Sequence, residues 1–118
     1  MTSIAPLAMA AMLAWVLPVE AAQTLVTPNF EVRIEVLCAE GNVTCDKVRY
    51  TGTNRRNGRS ITLTGRTLHS LCADGVSPCR FLGYEFRSGS ITYTAFESGL
   101  LSVREGSKVL LEEQGAWR

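Results

Sequence analysis

Two cysteine loops constrain the fold of this chain more than any other feature. Residues 37–50 read L-C-A-E-G-N-V-T-C-D-K-V-R-Y, and residues 71–84 read L-C-A-D-G-V-S-P-C-R-F-L-G-Y, with six of fourteen positions identical. The likeness resumes as S-I-T-L-T from Ser60 and S-I-T-Y-T from Ser90. This predicts an internal two-fold repeat, each unit a cysteine loop, a strand ending in Tyr, a Gly turn and a second strand. The unit is β-branched, Thr-rich and Gly-punctuated, which helices disfavour.

All four cysteines, Cys38, Cys45, Cys72 and Cys79, lie in these loops, an even count in a short chain. Two disulfides formed in an oxidising compartment are expected. A structural zinc site is the rival, but C-x6-C is not its C-x2-C spacing. Of the three possible pairings, the repeat favours Cys38 with Cys45 and Cys72 with Cys79. Chain-entropy arithmetic points elsewhere, since an eight-residue ring gives about 2.5 kcal/mol and a ring near 35 residues about 3.8 kcal/mol. Hairpin geometry decides for the local pairs, because a reversal between two strands brings their ends to the ~5.5 Å Cα separation of a disulfide.

The N-terminal stretch M-T-S-I-A-P-L-A-M-A-A-M-L-A-W-V-L-P-V-E-A-A has an uncharged apolar run followed by small residues, the form of a signal peptide. A cut with Val19 at −3 and Ala21 at −1 makes residues 1–21 the signal and residues 22–118 a single domain of 97 residues beginning at Ala22. The stretch before Ile4 has no Lys or Arg, a departure from the usual pattern. A membrane anchor is the competing reading. Pro6 and Pro18 interrupt the run, which is shorter than the ~20 residues a spanning helix needs. No stable membrane insertion is expected, and the localisation is periplasmic or secreted.

Alternation marks the strands. In residues 30–38, F-E-V-R-I-E-V-L-C, Val32, Ile34 and Val36 alternate with Glu31, Arg33 and Glu35. Further runs are residues 45–52, 60–66, 79–86, 90–96, 100–104 and 108–113, with Asn57-Gly58, Asp74-Gly75, Ser88-Gly89, Ser98-Gly99 and Glu105-Gly106 as turns between them. The expectation is all-β: a small antiparallel barrel or sandwich of about seven or eight strands. The barrel is favoured because it leaves fewer open edges.

Removal of Glu20 leaves 12 basic against 10 acidic residues, so no strong attraction to a polyanion is expected and nucleic acid is not a partner. The basic residues are unevenly spread. Lys47, Arg49, Arg55, Arg56, Arg59 and Arg66 share a window whose only acid is Asp46, which predicts a locally basic face. Solvated turn chemistry at a hairpin tip is the plainer reading of the same cluster.

No nucleotide-binding or zinc-protease motif is present, and nothing calls for a metal or cofactor. The single His69 has no orienting acid at a marked spacing. Glu112 and Glu113 are neighbours on a strand, point to opposite faces, and read as surface charge. The chain is therefore read as a non-enzyme. Tyr50, Tyr84, Phe86, Tyr93 and Phe96 are expected to fill the core, with a ligand or stacking face as the alternative. Asn42-Val43-Thr44 matches a glycosylation acceptor.

The segment Ser88-Gly89-Ser90-Ile91-Thr92-Tyr93 is similar to the Ser-Gly-x-x-Tyr element of the bacterial periplasmic inhibitors of c-type lysozyme, while Phe96-Glu97-Ser98-Gly99 stands where that family has Trp-x-Lys-Gly. The resemblance implies a small exported disulfide-containing β-barrel whose Ser88 and Tyr93 enter a lysozyme cleft. Together with the basic hairpin, the expected partner-binding residues are Arg55, Arg56, Arg59, Ser88 and Tyr93. The expected function is an exported binding module whose partner is another protein, with a structural cell-envelope role as the alternative.

Overall fold

A computed structural model describes residues 22–118, so the segment expected to be a signal peptide, residues 1–21, lies outside the described residues. Nine strands follow one another: β1 (Ala22–Val26), β2 (Phe30–Val36), β3 (Val48–Asn54), β4 (Ser60–Leu71), β5 (Pro78–Ser88), β6 (Ile91–Phe96), β7 (Leu100–Glu105), β8 (Lys108–Gln114) and β9 (Ala116–Trp117). Each of the first seven pairs antiparallel with the next, and β9 pairs with β1. The result is an up-and-down meander curled into a nearly closed barrel. In β2 the alternation does what its pattern demands: Val32 and Ile34 are fully buried, while Glu31 and Arg33 face solvent.

The count of nine exceeds the expected seven or eight because β1 and β9 carry almost no periodic signal. Residues A-Q-T-L-V contribute one fully buried side chain, Leu25, and β9 has only two residues. Tertiary contacts make them strands. Gln23 donates to the Tyr84 hydroxyl at 3.1 Å, and the Trp117 indole N–H donates to the Phe96 carbonyl at 3.0 Å.

Closure comes from β8 and β9, which occupy the two edges of the sheet but are joined through Gly115. Here the backbone runs close to β1: a Cβ at Gly115 would collide with the Val26 carbonyl, which only glycine avoids. Glu113 completes the seam. Its carboxylate accepts from the Thr27 hydroxyl at 2.7 Å, the Asn29 backbone N–H at 3.0 Å and the Asn29 side-chain amide at 2.6 Å. The residue read from sequence as surface charge is thus a latch between β8 and the β1–β2 turn. Glu112, on the other face, stands 3.7 Å from Arg104.

The core comprises Leu25, Val32, Ile34, Val48, Tyr50, Tyr84, Phe86, Ala95 and Leu101, joined by Cys45. Burial of such aliphatic and aromatic side chains is worth about 1.5–3 kcal/mol apiece and drives the curling. Disulfides join Cys38 to Cys45 and Cys72 to Cys79, with Cα separations of 5.8 and 5.1 Å. Both lie at the barrel end reached by β2 and β4, and Cys45, 5% exposed, helps to fill that end. The first loop docks on β4 through Thr67, whose hydroxyl accepts from the Cys45 N–H at 2.9 Å. The second is shaped by Asp74, whose carboxylate accepts from the Val76 and Ser77 backbones and the Ser77 hydroxyl. Those bonds, the Ser77 hydroxyl first, pull the Asp74 carboxyl down to about 2.

Candidate ligand-binding site

At the opposite end the lumen is not filled. A cavity of about 330 Å³ is lined by Phe30 of β2, Tyr50, Gly52 and Asn54 of β3, Asn57 and Arg59 of the following turn, Ile61 of β4, Tyr93 of β6, Leu101 and Val103 of β7 and Leu111 of β8. It lies at the low end of the size range of small-molecule sites. Antiparallel pairing explains why these positions meet. Register places Gly52 opposite Val32 and Ile61, and Tyr93 opposite Phe86 and Val103, so inward-facing residues of six strands converge on one space.

Tyr50 forms the inner wall. Its ring packs at 5.0 Å from Phe86 and 5.6 Å from Tyr93, and the residue is 2% exposed. The side chain leans along β3 over Gly52: a Cβ there would lie 2.6 Å from the ring and 2.7 Å from the hydroxyl. Glycine at 52 is therefore a requirement of this tyrosine's pose. Burial, reinforced by Tyr93, pushes the Tyr50 phenol well above its ordinary range, so it stays protonated at physiological pH. No hydrogen bond to another described residue perturbs that phenol, and no described side-chain polar atom is both sealed from solvent and unpaired. The Tyr50 hydroxyl consequently opens into the cavity as a free donor.

The mouth is polar. Asn54 and Asn57 use their side-chain oxygens to accept from the Arg56 and Arg59 backbone N–H groups, at 2.8 and 2.9 Å, which leaves their amide NH2 groups as donors. Arg59 is exposed, and its guanidinium takes part in none of the ion pairs among the described residues. The lining contains no carboxylate.

Of the five residues expected to bind a partner, Arg56 is exposed and outside the cavity lining, and the other four separate into three groups. Arg59 and Tyr93 come together at this cavity. Ser88 is exposed at the end of β5, two positions beyond Phe86, outside the lining; the two-residue turn after it relies on Gly89, at φ 62°. Arg55 is a structural tie: it donates to the Thr27 carbonyl at 2.8 Å and the Pro28 carbonyl at 3.4 Å, fastening the β3–β4 turn to the β1–β2 turn.

The expected basic face is offset in part by acids elsewhere on the sheet. Arg49 lies 3.7 Å from Glu35, Arg66 2.9 Å from Glu85, and Arg56 acts on the Glu113 carboxylate. A linear window does not register cross-strand neighbours, and this is why the sequence overstates the charge. His69 packs edge-on against Phe81 at 5.5 Å, away from the cavity. Tyr50 and Tyr93 belong to the aromatics for which a ligand face was the alternative to core packing, and the residue that sequence reasoning missed is Gly52. Its signal was faint: a glycine two positions after an aromatic on a strand, which marks a close approach. Comparison of the chain with protein-family models, characterised proteins and solved structures finds no match.

Proposed function

We propose that the chain is an exported binding module, periplasmic or secreted, whose open barrel end takes a small, mainly apolar ligand. One observation carries this reading: a cavity of about 330 Å³ is lined by a tyrosine hydroxyl that has no hydrogen-bond partner among the described residues. A barrel of this size has room for side chains or for one small ligand, and here the side chains stop short of one end. The two disulfides fit an oxidising compartment, and no helix among the described residues is long and apolar enough to cross a membrane. The similarity of the two cysteine loops supports descent of both from one duplicated unit, each stapling a hairpin at the end away from the cavity.

The uncharged apolar fluorophore N-phenyl-1-naphthylamine tests this. It should bind one per chain with enhanced emission, and Ile61→Trp, at a mouth position already 44% exposed, should block it without unfolding the barrel. Absence of saturable binding to the wild-type protein refutes the reading.

A second reading, inhibition of a c-type lysozyme, draws on the exposed Ser88–Ser90 tip, a pre-ordered turn that would bind with little ordering cost. It requires stoichiometric inhibition of lysozyme turnover that is lost in Ser88→Trp. Full turnover in excess protein ends it.

A further inference from the structure

We infer, resting on the small-ligand reading above, that the cavity selects an amphipathic monoanion: a carboxylic acid whose head group is held at the mouth by Arg59 and whose apolar body fills the lumen. The polar side chains that line the space share one property. Each of them can donate to an anion, and none is an acid: the Arg59 guanidinium, the amide NH2 groups of Asn54 and Asn57, and the hydroxyls of Tyr50 and Tyr93, which as phenols can also accept. No acid lines the space, so a cationic head group would meet an arginine and find no counter-charge.

Register places the donors within reach of one head group. The Asn54 N–H bonds the Arg59 carbonyl at 2.8 Å, which puts Arg59 at the level of Asn54, and the Tyr50 hydroxyl lies beside Gly52. Positions 52 and 54 are successive inward-facing places on β3, about 7 Å apart, a gap that an arginine side chain spans. A carboxylate seated there can accept from both, and each charge-assisted bond is stronger than its neutral counterpart. Around them Phe30, Leu101, Val103 and Leu111 offer apolar side chains, which suit an alkyl or aromatic body. The other arginines of the β3–β4 turn do not compete, since Arg55 is bonded to carbonyls and neither it nor Arg56 lines the cavity.

The test compares octanoate, octan-1-ol and octylamine, all below micellar concentration, as competitors of N-phenyl-1-naphthylamine on wild type, Arg59→Gln and Ile61→Trp. Octanoate should displace the fluorophore about tenfold more tightly than octylamine, as expected for hydrogen bonds to a charged group. Arg59→Gln should erase that preference, weakening octanoate more than octan-1-ol, since the Arg59 guanidinium takes part in none of the ion pairs among the described residues. If octan-1-ol competes but octanoate shows no advantage, or the advantage survives Arg59→Gln, the acid assignment is overturned and the small-ligand reading stands. If the fluorophore and all three competitors fail to bind, both fall.

Discussion

The latch at the barrel seam gives the sharpest prediction. Glu113→Gln preserves the shape of the side chain but replaces one acceptor oxygen with a donor NH2. The oxygen that receives the Asn29 amide at 2.6 Å and the one that receives the Thr27 hydroxyl and Asn29 N–H cannot both be retained. At least one of these bonds becomes a donor–donor contact. Hydrogen bonds to a charged group contribute about 1.5–3 kcal/mol, so a loss near 2 kcal/mol is expected at neutral pH. For a domain of this size each kcal/mol moves Tm by roughly 4–8 °C, giving a drop of about 8–16 °C by circular dichroism. The sign with pH follows from the direction of the shift. Burial raises the Glu113 carboxyl, but the bonds from Asn29 and Thr27 outweigh it and hold the group below its ordinary 4.5. Its stabilising contribution is therefore complete above the unfolded value and disappears as pH falls through the folded one. The gap between wild type and Glu113→Gln should then narrow on acidification from pH 7 to below 4.5. A gap under about 0.5 kcal/mol at pH 7, the range of ordinary surface substitutions, or one that is unchanged in acid, would refute the latch.

Gly52→Ala should destabilise by about 1–3 kcal/mol, because its Cβ forces the Tyr50 ring off its pose, and should weaken fluorophore binding; unchanged melting and binding would show that the ring is free to move. Arg55→Ala should lower stability by about 1 kcal/mol in a urea titration through loss of its carbonyl contacts, whereas Arg59→Gln should stay within about ±0.5 kcal/mol; equal effects would contradict the different roles assigned to them. Replacing both members of a disulfide by Ala removes the same chain constraint in either loop, about 2.5 kcal/mol for rings of equal span. The Cys38/Cys45 pair should cost measurably more in denaturant, because Cys45 is packed in the core, and equal losses would place that loop outside it. Terminal sequencing of exported protein should read Ala22 or Gln23, and a chain that still begins at Met1 would end the export reading.

What the sequence determined by itself was local. Alternation of Val32 and Ile34 with Glu31 and Arg33 fixed β2, Gly-punctuated turns set the meander, and two C-x6-C loops specified which hairpins would be stapled, because each of these signals is complete within a few residues. Tertiary structure decided whatever depends on neighbours remote in the chain. Strands β1 and β9 are anchored by hydrogen bonds from Gln23 to Tyr84 and from Trp117 to Phe96, across 61 and 21 residues. Glu113 changes from surface charge to latch because the curling sheet brings the β1–β2 turn to it, 84–86 residues away in sequence. Arg49 and Arg66 lose their apparent role to Glu35 and Glu85 on adjoining strands. The cavity itself has no sequence signature at all, because an unfilled volume is a property of how six strands close around it, and no single segment records the space left between its partners.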